Sequence, residues 1–279
     1  MSKIAVIGIA GESVFLTLNE FGRVGQTTVA TDIHRELGGK GFNQAVAVAR
    51  SGVDCSYLCA VNERDTEPFS RIAEENGIKP FFVPKTKQSP YAVITTDRVG
   101  DNCVCVYRGA ELEASDVDGF AEEIKSADVL LITNEVPTEV NERAVDIARE
   151  SGVMVILNPA PARPYSDDFL KKIDLFTPNE HETCGLEAFS NVVVTLGDRG
   201  CRIVKTGELI PSVKITGVVD TTGAGDTFNG VLAASLASGM DLRDACVRAN
   251  TAAALKVTRK YILDSIPTKE EIDKFEREI

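Results

Sequence analysis

The stretch Val219-Asp-Thr-Thr-Gly-Ala-Gly-Asp226-Thr-Phe-Asn-Gly230 decides how this chain is read. A β-prone approach, Ile215–Val219, runs into Gly223-Ala224-Gly225. A helical pattern follows, with Phe228, Leu232 and Leu236 recurring every four residues until Gly239 stops it. Glycines at a helix start let bare main-chain N–H groups approach an anion, and the positive end of the helix dipole faces the same point. Such a turn can hold charge that builds on a transferred phosphoryl group. Asp226 stands in that first turn, where the dipole favours a carboxylate. With a substrate hydroxyl within about 3 Å, that carboxylate can accept its proton as the phosphoryl group arrives. The plainer alternative is an Asp that only caps the helix.

A second glycine-rich loop, Gly38-Gly-Lys-Gly41-Phe-Asn43, precedes the helical run Gln44-Ala-Val-Ala-Val-Ala-Arg50. It is no Walker A loop, because Lys40 is followed by Gly rather than Ser or Thr, and it does not match G-x-G-x-x-G. A turn of this kind, with Asn43 facing the same pocket, can hold the hydroxyls of a polyol; a plain turn is the alternative.

Between and around these loops, apolar β-branched runs alternate with helical patterns. Ile4–Ile7, Tyr57–Val61, Val129–Thr133, Val153–Leu157, Leu175–Thr177 and Val192–Leu196 are short and continuously apolar, as strands covered on both faces are. Helical patterns fall at Asn43–Ser51, Glu67–Asn76, Ser115–Lys125, Thr138–Ser151 and Asp167–Lys172, with Gly52, Gly77 and Gly152 just past three of their ends. The alternation predicts an α/β fold, a three-layer α/β/α sandwich on a mainly parallel sheet. Val14–Leu37 and Tyr91–Tyr107 break the pattern with β segments and no helix between. A small separate sheet over one edge of the core, a natural lid, would take both; the alternative makes them edge strands of one mixed sheet. With no linker or repeat, residues 1–279 read as one domain, its lid built from about 13–38 and 91–108.

The chain of 279 residues can bury about 73% of its unfolded surface, enough for a core without staples. A net charge of −12 excludes a phosphate-backbone binder, so no nucleic-acid partner is expected, whereas one local positive site suffices for a small anion. No run of 18 apolar residues occurs, so no membrane span is expected, and the first apolar run reads as a buried strand rather than a signal peptide. Seven cysteines without paired CxxC spacing, and only two histidines (His34 and His181), read as reduced thiols in a cytoplasmic protein rather than a zinc site.

The two glycine loops, in this order and about 180 residues apart, resemble those of the ribokinase-like (PfkB) family of carbohydrate kinases. Leu157-Asn-Pro-Ala-Pro-Ala-Arg163, Thr177-Pro-Asn-Glu180, Val194-Thr-Leu-Gly-Asp-Arg-Gly200 and Val257-Thr-Arg-Lys260 agree, so the resemblance spans essentially the whole chain. It implies a sandwich with a small β lid and ATP-dependent phosphorylation of a primary hydroxyl of a ribose-like sugar. Within that resemblance Asp226 is the base, with Gly223, Ala224 and Gly225 as anion hole. Gly39, Lys40, Gly41 and Asn43 contact the sugar, as do Gly11, Glu12 and Ser13 at the end of the first strand, and Glu135 accepts a hydroxyl. Asn179, Thr195, Leu196, Gly197, Asp198, Arg199, Gly200 and Asn250 line the nucleotide, and Glu182 serves Mg2+ through water. A monovalent-cation (K+) site takes Asp220, Thr222, Lys256, Arg259, Tyr261 and Ser265. The family's lids often carry a dimer interface, which implies a homodimer. A nucleoside kinase, and a sugar- or nucleotide-binding protein without catalysis, are the alternative functions.

The chain departs from that pattern in four places. Ser13 stands where the family has a sugar-binding Asp, with Glu12 adjacent, and a lost charged hydrogen bond of roughly 1.5–3 kcal/mol means about 10- to 100-fold in affinity. Tyr261-Ile-Leu-Asp-Ser265 replaces a Gly-Ala loop at a point where a tyrosine resists positive φ, so a reshaped potassium loop is expected. Glu182–Asn191 is short by about a helix and a loop. Phe42 replaces a small residue and is expected to narrow the sugar pocket or to stack on a base.

Overall fold

The structure, a computed structural model, describes residues 2–99 and 101–278. Its centre is a six-stranded sheet in the order β10-β9-β8-β1-β4-β5, formed by Leu175–Phe176, Met154–Asn158, Val129–Thr133, Lys3–Ile7, Asp54–Asn62 and Ile78–Lys85. Every pairing in it is parallel. Alternate residues leave on opposite faces, so each strand feeds two cores. Ile4, Val6, Tyr57, Leu131 and Ile156 face one core, under α1 (Lys40–Arg50), α2 (Thr66–Glu75), α7 (Ala224–Ala237), α8 (Leu242–Lys256) and α9 (Lys269–Glu278). Ala5, Ile7, Leu58, Leu130 and Leu157 face the other, under α3 (Ala114–Asp118), α4 (Ala121–Lys125), α5 (Thr138–Glu150) and α6 (Asp167–Leu170). The result is the α/β/α sandwich.

Two smaller sheets flank it. One has the order β3-β2-β6-β7 (Asp32–Gly38, Gly11–Thr17, Tyr91–Thr96, Asn102–Tyr107) and takes up the two stretches that break the βα alternation. Its outer pairs are antiparallel and its middle pair, β2 with β6, is parallel. The other is the antiparallel β11-β12-β13 (Val193–Thr195, Cys201–Ile203, Glu208–Ile210).

Several elements differ from the sequence expectation. Val192–Leu196 yields β11, which joins the antiparallel sheet and meets the central one only through bridges from Phe176 to Val192 and Asn179 to Thr195. The Ser115–Lys125 helix is divided around Gly119 into α3 and α4. Ile215–Val219 is not a strand; it is coil docked on the end of α8, with the N–H groups of Val219 and Asp220 on the Val257 carbonyl. β5 escapes the reading because Pro80 and Pro84 remove ladder donors, which is tolerable only on the edge it occupies. Residues 182–191 hold turns without a helix. Gly52, Gly77 and Gly152 do take positive φ after their helices. All seven cysteines are unpaired, but Cys103, Cys105 and Cys184 are exposed rather than core residues.

One contact sets the distance between the helices that matter most. A Cβ at Gly230 of α7 would lie 2.5 Å from Ala47 Cβ and 2.6 Å from the Gln44 carbonyl of α1, so only glycine allows this approach. Overpacking of this kind costs about 1–3 kcal/mol, so Gly230→Ala is expected to lower the melting midpoint by at least about 2 °C. Gly119→Ala, whose Cβ meets only the Asp116 carbonyl at 3.5 Å, is the control expected to leave it unmoved. Equal midpoints for the two variants would refute the close-approach account.

Candidate active site

The loops at the carboxyl ends of the parallel strands converge where the strand order reverses, between β1 and β8, the usual ligand crevice of open α/β sheets. Gly8 follows β1 and Glu135 follows β8. A Cβ at Gly8 would lie 2.5 Å from the Gly41 Cα, so the start of α1 sits directly on the end of β1. Gly41 thus serves this close approach. Gly39, at φ 112° and with its Cβ position 2.4 Å from the Ile9 carbonyl, completes the tight entry into α1.

Because Gly230 lets α1 and α7 touch, Asp226, one turn earlier on α7, comes level with Asn43 and Gln44. The Asn43 Nδ2 donates to Asp226 Oδ2 at 2.8 Å and the Gln44 Nε2 donates to Oδ1 at 3.3 Å. Asp226 is 6% exposed and accepts from neither its own helix nor the turn before it, so it is not the N-cap; Gly223 is. The carboxylate only accepts, so each amide must turn its NH2 toward it. This strands the opposite oxygens: Asn43 Oδ1 and Gln44 Oε1 are buried with no hydrogen-bond partner. Buried unpaired acceptors cost about 1–3 kcal/mol each, which a ligand hydroxyl would recover.

The network continues sideways. The Gln44 Nε2 also donates to Asn158 Oδ1 at 3.1 Å, and Asn158 Nδ2 donates to the Thr177 carbonyl at 2.9 Å. Thr177 Oγ1 donates to Asn229 Oδ1, and Asn229 Nδ2 donates to the Gly225 carbonyl at 2.8 Å. These four side chains, on Gln44, Asn158, Thr177 and Asn229, were not singled out from sequence. All four lay inside the quoted motifs, but nothing in their spacing shows that they meet.

Asp226 borders a cavity of about 360 Å³ with Lys40, Asn179, Glu182, Thr195, Leu196, Gly197 and Gly225. Asp226 chiefly, with Glu135 and Glu182, raises the Lys40 pKa above the ordinary lysine value against the opposing effect of burial. Glu135 accepts the Gly41 N–H at 3.3 Å. Desolvation pushes the Glu135 pKa up to about 8, with Lys40 pulling it down and Asp226 pushing it up. At the turn itself, Gly223 takes φ 77°, and the Ala224 N–H is engaged with the Thr221 carbonyl at 3.2 Å. Among the described residues, the N–H groups of Gly223, Gly225 and Asp226 have no acceptor, so the free donors differ by one from the expected set.

Other expected residues fall elsewhere. Asn250 does not border the cavity; its Nδ2 donates to the Ile210 carbonyl at 3.1 Å, holding β13. Gly200 is required by packing, with its Cβ position 2.1 Å from the same carbonyl. Arg199 pairs with Glu180 on the surface, beside exposed Asp198. Glu12 pairs with Arg35 at 3.1 Å and borders a separate cavity of about 540 Å³ with Leu37, Arg64 and Tyr91, so it does not replace the missing Asp. Ser13 lies on the opposite face of that strand, with Phe15, whose ring faces Tyr261. Gly11 meets the Pro90 carbonyl, 2.2 Å from its Cβ position. Phe42 is 0% exposed against Tyr57 and Phe69, so it neither narrows a pocket nor offers a stacking face.

The expected potassium ligands do not fit a free ion. The Asp220 carbonyl accepts the Lys256 ammonium at 2.9 Å, and the Asp220 carboxylate accepts the N–H groups of Thr222 and Tyr261. The Tyr261 carbonyl accepts the Ser265 hydroxyl at 2.6 Å, and Arg259 pairs with Glu271. Tyr261 does adopt φ 67°, against expectation. Its ring stacks on His34 at 3.3 Å between centroids, which offsets the roughly 1–2 kcal/mol that a left-handed side chain costs. No cluster of three His, Cys, Asp or Glu able to hold a metal occurs among the described residues, so a divalent ion here would be held largely by its own ligand's oxygens.

Comparison with known proteins places nearly the whole chain in one family. The pfkB family of carbohydrate kinases matches residues 1–269. The ribokinase of Bacillus subtilis is 32% identical over 98% of this chain and 99% of its own length. The bifunctional ribokinase/ribose-5-phosphate isomerase A of Fructilactobacillus sanfranciscensis is 33% identical over 98% of this chain, which spans only 56% of that longer protein. The crystal structure of the ribokinase of Thermotoga maritima superimposes with a TM-score of 0.88 at 30% identity, covering 99% of this chain and all of that one.

Glu135 gives the site a pH signature. A carboxyl whose pKa rises from 4.5 to about 8 on folding binds its proton more tightly in the folded state, so stability falls as pH rises through that window. Glu135→Gln keeps the acceptor for Gly41 without the charge. Its stability advantage over wild type is expected to be small near pH 4.5 and to grow until about pH 8, read as the difference in urea midpoints. A pH-independent difference would refute it.

Proposed function

The chain belongs to the pfkB family of carbohydrate kinases, and from that premise we propose that it transfers the γ-phosphate of ATP to a primary hydroxyl of a ribose-like sugar. Its membership makes it a phosphotransferase acting on a sugar alcohol; the acceptor and the residue roles are our reading. The observation that carries the reading is a buried carboxylate, Asp226, held by two amides at the edge of a cavity and next to unbonded main-chain N–H groups.

The acceptor hydroxyl sits against Asp226, which takes its proton as the oxygen attacks the phosphorus. The N–H groups of Gly223, Gly225 and Asp226, at the positive end of α7, receive charge from the transferred phosphoryl group. Lys40, cationic between Asp226 and Glu182, spans the acceptor and phosphate sides. Asn43 Oδ1, the unpaired acceptor, receives a sugar hydroxyl, and Glu135 another. With Ser13 in place of a carboxylate, the acceptor is held more weakly on that side. ATP occupies the cavity bordered by Asn179 and Thr195–Gly197, where Glu182 is the carboxylate that would help hold its Mg2+. The ion supplies charge neutralisation when bound. The β3-β2-β6-β7 sheet acts as the lid that excludes water. On one of its faces Val104 and Val106 are exposed, where a second copy would dock. With Phe42 in the core, the residue that could have stacked on a base is not available to one.

A coupled ADP-release screen over pentoses, hexoses and nucleosides is expected to find turnover with a pentose. Product only from nucleosides would replace the sugar reading, and nucleotide binding without any product would replace the enzymatic one. Asp226→Asn is expected to lower turnover by about 10²-fold or more while ATP binding stays nearly intact. Near-normal turnover would remove Asp226 as the base.

A further inference from the structure

Lys256 ends α8 and is 0% exposed, an uncommon place for an ammonium group. Its Nζ donates to the carbonyl of Asp220 at 2.9 Å. The same Asp220 begins the turn that runs through left-handed Gly223 to Asp226, and its carboxylate ties that turn together by accepting from Thr222 and Tyr261. Main chain adds to the clamp, because Val257, next to Lys256, accepts the N–H groups of Val219 and Asp220. The charges acting on the ammonium are those of Asp220, Glu36 and Asp226, which favour the cation against the burial that lowers its pKa.

Among the described residues the Asp220 carbonyl accepts no other hydrogen bond. Of the other expected ligands, the Tyr261 carbonyl accepts the Ser265 hydroxyl, so both are already engaged with each other. We infer that the Lys256 ammonium is this protein's own fixed monovalent cation beneath the anion-binding turn, doing the work of a free potassium ion, so that catalysis here does not depend on potassium. Lys256 touches no substrate. It is a positioning residue, which holds the Asp220–Asp226 main chain so that the N–H groups of Gly223, Gly225 and Asp226 point at the phosphoryl group. The inference rests on the phosphotransferase reading above.

The test compares wild type and Lys256→Ala in potassium, sodium and choline chloride at matched ionic strength, reading kcat, KM and melting midpoint. Wild type is expected to turn over within about twofold in all three salts, with no potassium-specific rise in midpoint. Lys256→Ala is expected to lose at least about tenfold in kcat with less change in KM. Potassium, but not choline, then restores part of the rate and raises the midpoint by filling the vacated site. Severalfold activation of wild type by potassium overturns the inference. So does a Lys256→Ala enzyme with normal kcat, or a slow one that ignores potassium, since the lysine would then serve structure alone. If the variant does not fold, the wild-type salt response decides. If wild type phosphorylates no acceptor, the phosphotransferase reading fails, and the potassium dependence of the two melting midpoints still decides the lysine's role.

Discussion

The carboxylate of Asp226, drawn out of water between two amides of another helix, is the constraint around which this molecule is arranged. A charge so placed requires donors at fixed positions, and donors at fixed positions require two helices at one separation. Gly230 sets that separation, and Gly8 and Gly41 set the height of α1 on the sheet. Asn158 and Thr177 extend the network to the ends of β9 and β10, so the site is anchored on the rigid sheet rather than on loops. The unmet acceptors on Asn43 and Gln44 are the remainder of that arrangement. They leave two buried oxygens of the free protein without a hydrogen bond beside Asp226.

The electrostatics are local against the global trend. The chain carries a net −12, yet Lys40 and Lys256 sit on two sides of Asp226, one bordering the cavity and one beneath the turn. Glu135, near Lys40 and Asp226, is a carboxyl that stays protonated to higher pH than usual because burial disfavours its charge.

Much of this was legible in the sequence, for identifiable reasons. Strands covered on both faces read as short apolar runs, and β1, β4, β8 and β9 stand within a few residues of expectation. Asp226 and the glycines before it announce themselves because few local purposes need that combination. What was hidden depended on contacts between distant segments. The roles of Gln44 and Asn229 follow from helix proximity, which no period along the chain encodes. Glu12 looked like a replacement anchor through adjacency alone, but strand alternation turns it to the opposite face from Ser13. Phe42 looked like a pocket residue, yet the α1 face it occupies points into the core toward Tyr57 and Phe69. Lys256, grouped with ligands of a cation, instead donates its own ammonium to the Asp220 carbonyl. Tyr261 shows the converse, since the stack with His34 that makes its backbone affordable joins residues 227 positions apart.

The outer sheet is fastened to the sandwich in an unusual way. Glu36 on β3 sends its carboxylate to the main-chain N–H groups of Ile262 and Leu263 rather than to any side chain. Peptide N–H groups are the same in nearly every residue, so this fastening survives replacement of Ile262 or Leu263 by any other non-proline residue of suitable size. Over evolutionary time, one partner in the contact is therefore free to diverge while the other is not. A lineage could retune the segment that packs near the Gly223 turn without loosening the sheet above it.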